Sequence, residues 1–300
     1  MSLYKSDYQP VTYENRDVIK KILNTYPQNH SECSFITIIS WLDPVHYKFA
    51  IKNNGQNLLI SNTYNGYTIY WAPIGLYNET LFEEVLEVSK TNNGANIIEI
   101  YDYRYIEYLK KAHPETPIYT NNESNDYYYR SRDLAELPGK KYQKIRNQIN
   151  KFNSKYNYKI EKIINSLIPE IKKMVVEWVQ SKNVHNISIM NDEVDALYYV
   201  LNHWTECECD GIAIRITDEN RIAAISIWET LNESTILVHF EKGLVEYSGI
   251  YKVINQETAK SVCDNYTWIN RECDMGVPGL RESKRRYHPD HYANVWYIKN

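Results

Sequence analysis

Two stretches of this chain pass through the same succession of predicted elements, and any fold must accommodate that succession twice. In the first, a helical pattern over 15–26 sets Val18, Ile19, Ile22, Leu23 and Tyr26 on one face until Pro27 stops it. A short helix over 32–42 follows. Three strand-like runs come next, at 46–52, 57–62 and 67–72, parted by Asn53-Asn54-Gly55 and Asn65-Gly66. Asn-Gly between apolar runs marks a hairpin, because both residues accept the positive φ of a tight turn. A helix over 79–91, a strand over 97–101, a helix over 103–112 and a strand near 126–130 complete this half. The second half repeats the order: helices over 167–181 and 190–204, strands over 211–217, 221–230 and 234–241, and a helix over 248–263. A strand over 266–270, a short helix over 278–286 and a strand over 292–298 end it. A meander pairs antiparallel and a crossover helix gives a parallel pair, so each half predicts a mixed sheet flanked by helices. The expected fold class is α/β (α+β) in two tandem domains, 1–137 and 138–300.

Composition narrows the partners. Thirty-four Lys and Arg against 38 Asp and Glu give a net charge of −4, so there is no global basic field. Contact with nucleic acid or an anionic membrane surface must come from a local patch. No run approaches 18 apolar residues, which excludes a membrane-spanning helix. The N-terminus has no apolar signal region, which predicts a cytoplasmic protein. The cysteines, Cys33, Cys207, Cys209, Cys263 and Cys273, are odd in number and scattered, which predicts free thiols and no metal site.

A local patch does exist. Residues 139–162 hold eight Lys and Arg against Glu161 alone, just after Leu137-Pro138-Gly139. On a helix, Lys141, Lys144, Gln148, Lys151 and Lys155 fall on one stripe, and Tyr142, Ile145, Ile149, Phe152 and Tyr156 on the next. One face docks while the other presents ammonium groups. Lys140, Lys141, Lys144, Arg146 and Asn147 are the candidate anion-binding residues. A solvated Lys-rich helix and a seat for a phosphorylated ligand, tRNA or acidic headgroups are both compatible with this pattern.

The chemistry-bearing residues cluster in the last third. Alternation along 234–241 places His239 and Glu241 on one face of a strand. Further on, Asn270 and Glu272 share a face as the next strand runs out toward Pro278, and Arg281 and Lys284 follow. Polar side chains at a strand-to-helix junction can line an anion site. There is no Gly-x-Ser-x-Gly, P-loop or Gly-x-Gly-x-x-Gly pattern, so hydrolase, NTPase and dinucleotide-binding readings lack support.

The element order α-α-β-β-β-α-β-α-β resembles the Gcn5-related N-acetyltransferase (GNAT) fold, in tandem. Asp126-Tyr127-Tyr128-Tyr129, Gly139–Asn150, His239-Phe240-Glu241-Lys242, Ile254-Asn255-Gln256-Glu257, Asn270–Gly276 and Gly279-Leu280-Arg281 take the likeness further. Together they resemble a bacterial family grouped with the C-terminal domain of phosphatidylglycerol lysyltransferase (LPG synthase). The resemblance implies transfer of an aminoacyl or other acyl group, with aminoacyl-tRNA as a donor, to an amine or hydroxyl acceptor. It implies that His239 and Glu241 are catalytic, and that Tyr251, Asn270, Glu272, Arg281 and Lys284 bind substrate. Lipid-modifying relatives carry a membrane domain that this sequence does not contain, so peripheral membrane contact is the most that is expected. Acetyl-CoA enzymes of the fold cradle pyrophosphate with Arg/Gln-x-x-Gly-x-Gly/Ala. Here Val245 and Tyr247 stand at the two small positions, which disfavours acetyl-CoA. A non-catalytic module of the same fold, binding RNA or an anionic metabolite, is the alternative.

Overall fold

A computed structural model describes residues 3–90, 96–181 and 188–299. Residue 91, the last of the helix expected over 79–91, lies outside the described residues. In chain order the first elements are β1 (Gln9–Pro10), α1 (Arg16–Thr25), α2 (Phe35–Ser40), α3 (Leu42–Val45), β2 (Lys48–Lys52), β3 (Asn57–Tyr64), β4 (Tyr67–Trp71) and β5 (Ile74–Gly75). Next are α4 (Glu79–Lys90), β6 (Ile97–Ile100), α5 (Tyr103–Ala112) and β7 (Ile118–Thr120). The remaining chain gives β8 (Asp126–Arg130), α6 (Ser131–Glu136), α7 (Gln143–Lys155), β9 (Tyr158–Lys162), α8 (Ile168–Ser181), α9 (Ser188–Asn202) and α10 (Trp204–Cys207). It ends with β10 (Asp210–Ile216), β11 (Arg221–Asn232), β12 (Thr235–Gly243), α11 (Ile250–Val262), β13 (Trp268–Asn270), α12 (Pro278–Arg285), β14 (His291–Ala293) and β15 (Trp296–Lys299).

Local chemistry accounts for most of these boundaries. Asn65 and Gly66 both take positive φ, 51° and 81°, and close the β3–β4 hairpin as the Asn-Gly pair predicts. Ser34 caps α2 by accepting from the amides of Ile36 and Thr37, and Asp102 caps α5 by accepting from Arg104. In α7 the predicted docking stripe, Ile145, Ile149 and Phe152, is buried, while Lys144, Lys151 and Lys155 are exposed.

Two mixed sheets result. Among the described residues the first runs β1-β2-β3-β4-β6-β15-β7, with β5 on β3, and the second runs β14-β8-β13-β12-β11-β10-β9. In each, a meander is followed by a parallel pair, β4 with β6 and β12 with β13. The strand beyond that pair comes from the other half of the sequence. β15 pairs antiparallel with β6, and β8 pairs antiparallel with β13. The compact units are accordingly Met1–Asp126 with Ala293–Asn300, and Tyr127–Tyr292. The expected boundary at 137/138 keeps β8 and β15 with their sequence neighbours; backbone pairing assigns each to the opposite half. Pattern alone identifies a strand and its buried face, but not which sheet offers it open donors and acceptors.

The first unit packs α4 and α5 on its sheet through Phe82, Val85, Tyr105 and Leu109, against Ile98, Ile100 and Ile298. Each such side chain, fully buried, contributes about 1.5–3 kcal/mol. In the second unit α11 packs against α6, α7, β11 and β12, and α8 packs against β11 and β12. Among the described residues no helix is long and apolar enough to cross a membrane.

Candidate active site

The parallel pair β12–β13 is short. Its register covers Thr235↔Trp268, Ile236↔Ile269 and Leu237↔Asn270, after which β12 continues to Gly243 and β13 ends. His239 and Glu241 on one strand, and Arg271 and Glu272 after the other, therefore flank the place where the two strands part.

A bulge sits at that place. β11 and β12 pair Ile227↔Phe240 and then Trp228↔Val238, which leaves His239 as the extra residue. Glu241 lies opposite Ser226, whereas Leu237 lies opposite Glu229, and Ser226 and Glu229 point to opposite faces of β11. The alternation expected from sequence, with His239 and Glu241 on one face, is thus broken by the inserted residue. His239 shares the face of Glu229, and Glu241 turns toward α11.

On the first face His239 lies between two carboxylates. Its Nε2 is 2.9 Å from Glu229 Oε1 and its Nδ1 is 3.2 Å from Glu272 Oε1. Burial alone would lower the imidazole pKa. The hydrogen bonds to Glu229 and Glu272 outweigh it and raise the pKa to about 9. At neutral pH the imidazole is therefore protonated between the two carboxyl groups. Glu272 reaches this position through a turn: its amide donates to Asn270 Oδ1 at 2.7 Å and its φ is +56°. Such a conformation is uncommon for a non-glycine residue and is held here by the Asn270 side chain.

On the second face Glu241 accepts from Arg271 Nη2 at 3.2 Å and from Asn255 Nδ2 at 3.1 Å. The Arg271 guanidinium lies over Tyr129 and Tyr287, 5.7 and 5.0 Å from the ring centres. Burial works against its charge, but Glu241, Tyr129 and Tyr287 together outweigh it.

The other expected site residues serve mainly to shape this region. Lys284 is buried, and its ammonium donates to the carbonyls of Arg271, Glu272 and Cys273, stapling the segment that leaves β13. Arg281 makes a two-point contact with buried Asp274, which also accepts from Tyr127. The Tyr251 hydroxyl accepts from Trp178 Nε1 at 2.8 Å. On α7, Arg146 Nη1 donates to the carbonyls of Leu137 and Gly139; Lys141, expected on the helix stripe, lies instead in the 3-10 turn before α7 and pairs with Asp133 at 3.6 Å. Lys140, Lys144 and Asn147 are exposed. Sequence reasoning missed Glu229, Arg271 and Asn255 at this site. Asn255 carried a signal, since it interrupts the buried face Ile250, Val253, Ile254 of α11.

The loop between β12 and α11 also has a defined shape. Tyr247 is buried and its hydroxyl donates to Glu219, while Val245 is exposed. A Cβ on Gly249, at φ +98°, would stand 3.0 Å from the carbonyl oxygen of Gln148, so α7 lies closely over the start of α11.

The family described as phosphatidylglycerol lysyltransferase, C-terminal, matches residues 23–299. No curated protein matches the chain. Among solved structures, a conserved protein of unknown function from Bacteroides thetaiotaomicron VPI-5482 is 26% identical at TM-score 0.88, covering 97% of this chain and 98% of that one. L-PGS from Bacillus licheniformis is 13% identical at TM-score 0.62, covering 95% and 91%. FemX is 7% identical at TM-score 0.57, covering 97% and 96%. The last two identities speak to fold alone, and the fold is the expected tandem GNAT-like one, two mixed sheets flanked by helices. Because the family match extends through both compact units, the chain belongs to the phosphatidylglycerol lysyltransferase C-terminal family.

Proposed function

We propose that the protein is an acyltransferase that moves an aminoacyl group from aminoacyl-tRNA to an amine or hydroxyl acceptor where β12 and β13 part. The observation that carries this reading is the pair of charged constellations at that parting, Glu229–His239–Glu272 on one face and Glu241–Arg271–Asn255 on the other. Family membership supports the reaction class. The acceptor nitrogen or oxygen attacks the acyl carbonyl carbon, the new bond forms, and the ester bond to the donor breaks. The proton leaves the nucleophile for Glu241 and ends on the departing ribose oxygen. The carboxyl groups of Glu229 and Glu272 beside His239 receive the ammonium of an aminoacyl group, and Asn270 helps to orient it. The exposed lysines of α7 take the donor's phosphates, since α7 packs on the helix that carries Asn255. Acetyl-CoA is disfavoured as donor because Tyr247 fills the loop and Gln148 closes on Gly249.

The test is transfer from a pool of charged tRNA, with Glu241→Gln as control. Turnover should fall roughly 10²–10⁴-fold with tRNA affinity unchanged. Full turnover in Glu241→Gln removes Glu241 as the base. Binding of tRNA with no transfer from any charged species favours the non-catalytic module.

A further inference from the structure

Four buried polar atoms lie near the Glu241 carboxylate with no hydrogen-bond partner among the described residues: Ser226 Oγ, Asn255 Oδ1, Arg271 Nη1 and Tyr287 Oη. Ser226 faces Glu241 across the β11–β12 pair. Asn255 and Arg271 hold the carboxylate with their other atoms, and Tyr287 lies under the Arg271 guanidinium. Buried polar atoms left unpaired are rare enough that four gathered around one carboxylate call for an explanation. Lys252, on the same helix as Asn255, brings its ammonium 4.9 Å from the centre of the Tyr287 ring. Burial and the nearby Arg271 hold it below the usual lysine range. The charges of Glu241 and Arg271 cancel and Arg286 is paired with Glu282, so Lys252 leaves a surplus of one positive charge.

We propose that Arg271, Lys252, Tyr287 and Asn255 form a seat for the carboxylate of a small amino or hydroxy acid, which is the acyl acceptor of this protein. Arg271 Nη1, Lys252 Nζ and the Tyr287 hydroxyl donate to the carboxylate. Asn255 Oδ1 accepts from the neighbouring amine or hydroxyl, which places the nucleophile beside Glu241. A surplus of one charge matches a carboxylate, whereas a phosphate monoester carries about −1.5 to −2. In the transfer, the amine nitrogen or hydroxyl oxygen forms the new amide or ester bond. The donor ester C–O bond breaks, and the proton passes through Glu241 to the departing hydroxyl. The term acceptor rests on the transferase reading; the carboxylate seat does not.

Titration calorimetry on the whole chain tests the seat without any transfer. The probes are the protein amino acids, glycolate, L-lactate, the methyl ester of any acid that binds, and sn-glycerol 3-phosphate. At least one free acid should saturate. Its methyl ester should bind about 10–100-fold more weakly, as should the acid to Lys252→Met, a substitution at a half-buried position that spares the Glu241–Arg271 pair. The proposal is overturned if no acid saturates by about 10 mM, if ester and acid bind alike, or if only glycerol phosphate binds. An acid that binds but is never acylated leaves the seat standing and removes the transferase reading. Transfer to an acceptor that has no carboxylate does the reverse.

Discussion

His239 binds its proton more tightly in the folded chain, where its pKa is about 9, than unfolded, near 6.5. Its contribution to stability is therefore complete below about pH 6.5 and is lost as pH rises through about 9. A shift of this size corresponds to at most roughly 3 kcal/mol. Guanidinium unfolding of wild type and His239→Gln should show the two curves converging between about pH 6 and pH 10; parallel curves would mean that the carboxylates do not hold the proton. Glu241 should behave differently. Replacing it by Gln leaves the Arg271 guanidinium buried without its counter-charge, and should cost about 3–5 kcal/mol in urea denaturation. A variant as stable as wild type would place the Arg271 charge in water. At this scale the sequence grouped Asn270 with Glu272, but Glu272 gets there through a positive-φ turn tied to the Asn270 side chain and not through strand alternation. The sequence was unreadable at the bulge, because one inserted residue reverses every face after it and leaves no mark on composition. Arg271 was hidden for a related reason: next to Glu272 it reads as an ordinary loop charge, and only the cross-strand partner shows what it holds.

The basic helix α7 separates into parts that sequence alone treated together. Arg146 ties down the carbonyls of Leu137 and Gly139, where Leu137 has φ +50° and ends α6. Arg146→Glu should therefore lower the melting temperature. Lys144→Glu with Lys151→Glu, at exposed positions, should leave it unchanged while weakening tRNA binding. The slope of log affinity against log salt should shrink by about two in that double variant. Unaltered tRNA affinity would move the polyanion surface off α7. The amphipathic stripe was legible because helical periodicity is local and Ile145, Ile149 and Phe152 obey it. The role of Arg146 was not, because hydrogen bonds to carbonyls depend on where the preceding turn closes.

Each sheet takes a strand from the far half of the sequence, so the halves cannot be separated at the place their repeated pattern suggests. A fragment 1–137 lacks β15, leaving β6 and β7 without the strand between them, and a fragment 138–300 lacks β8. Each alone should be unfolded by circular dichroism and protease sensitivity, whereas both expressed together should yield ordered protein. An independently folded 1–137 would show that β15 is dispensable. The same arrangement bears on how the protein comes into being. A ribosome emits β6 and β7 well before Trp296–Lys299, which must lie between them. At cellular elongation rates that wait is on the order of ten seconds. Throughout it the first sheet stands incomplete, with the edge of β6 bare. The first unit is thus finished only after the whole of the second has been made, and the yield of folded protein depends on what shields that edge in the interval.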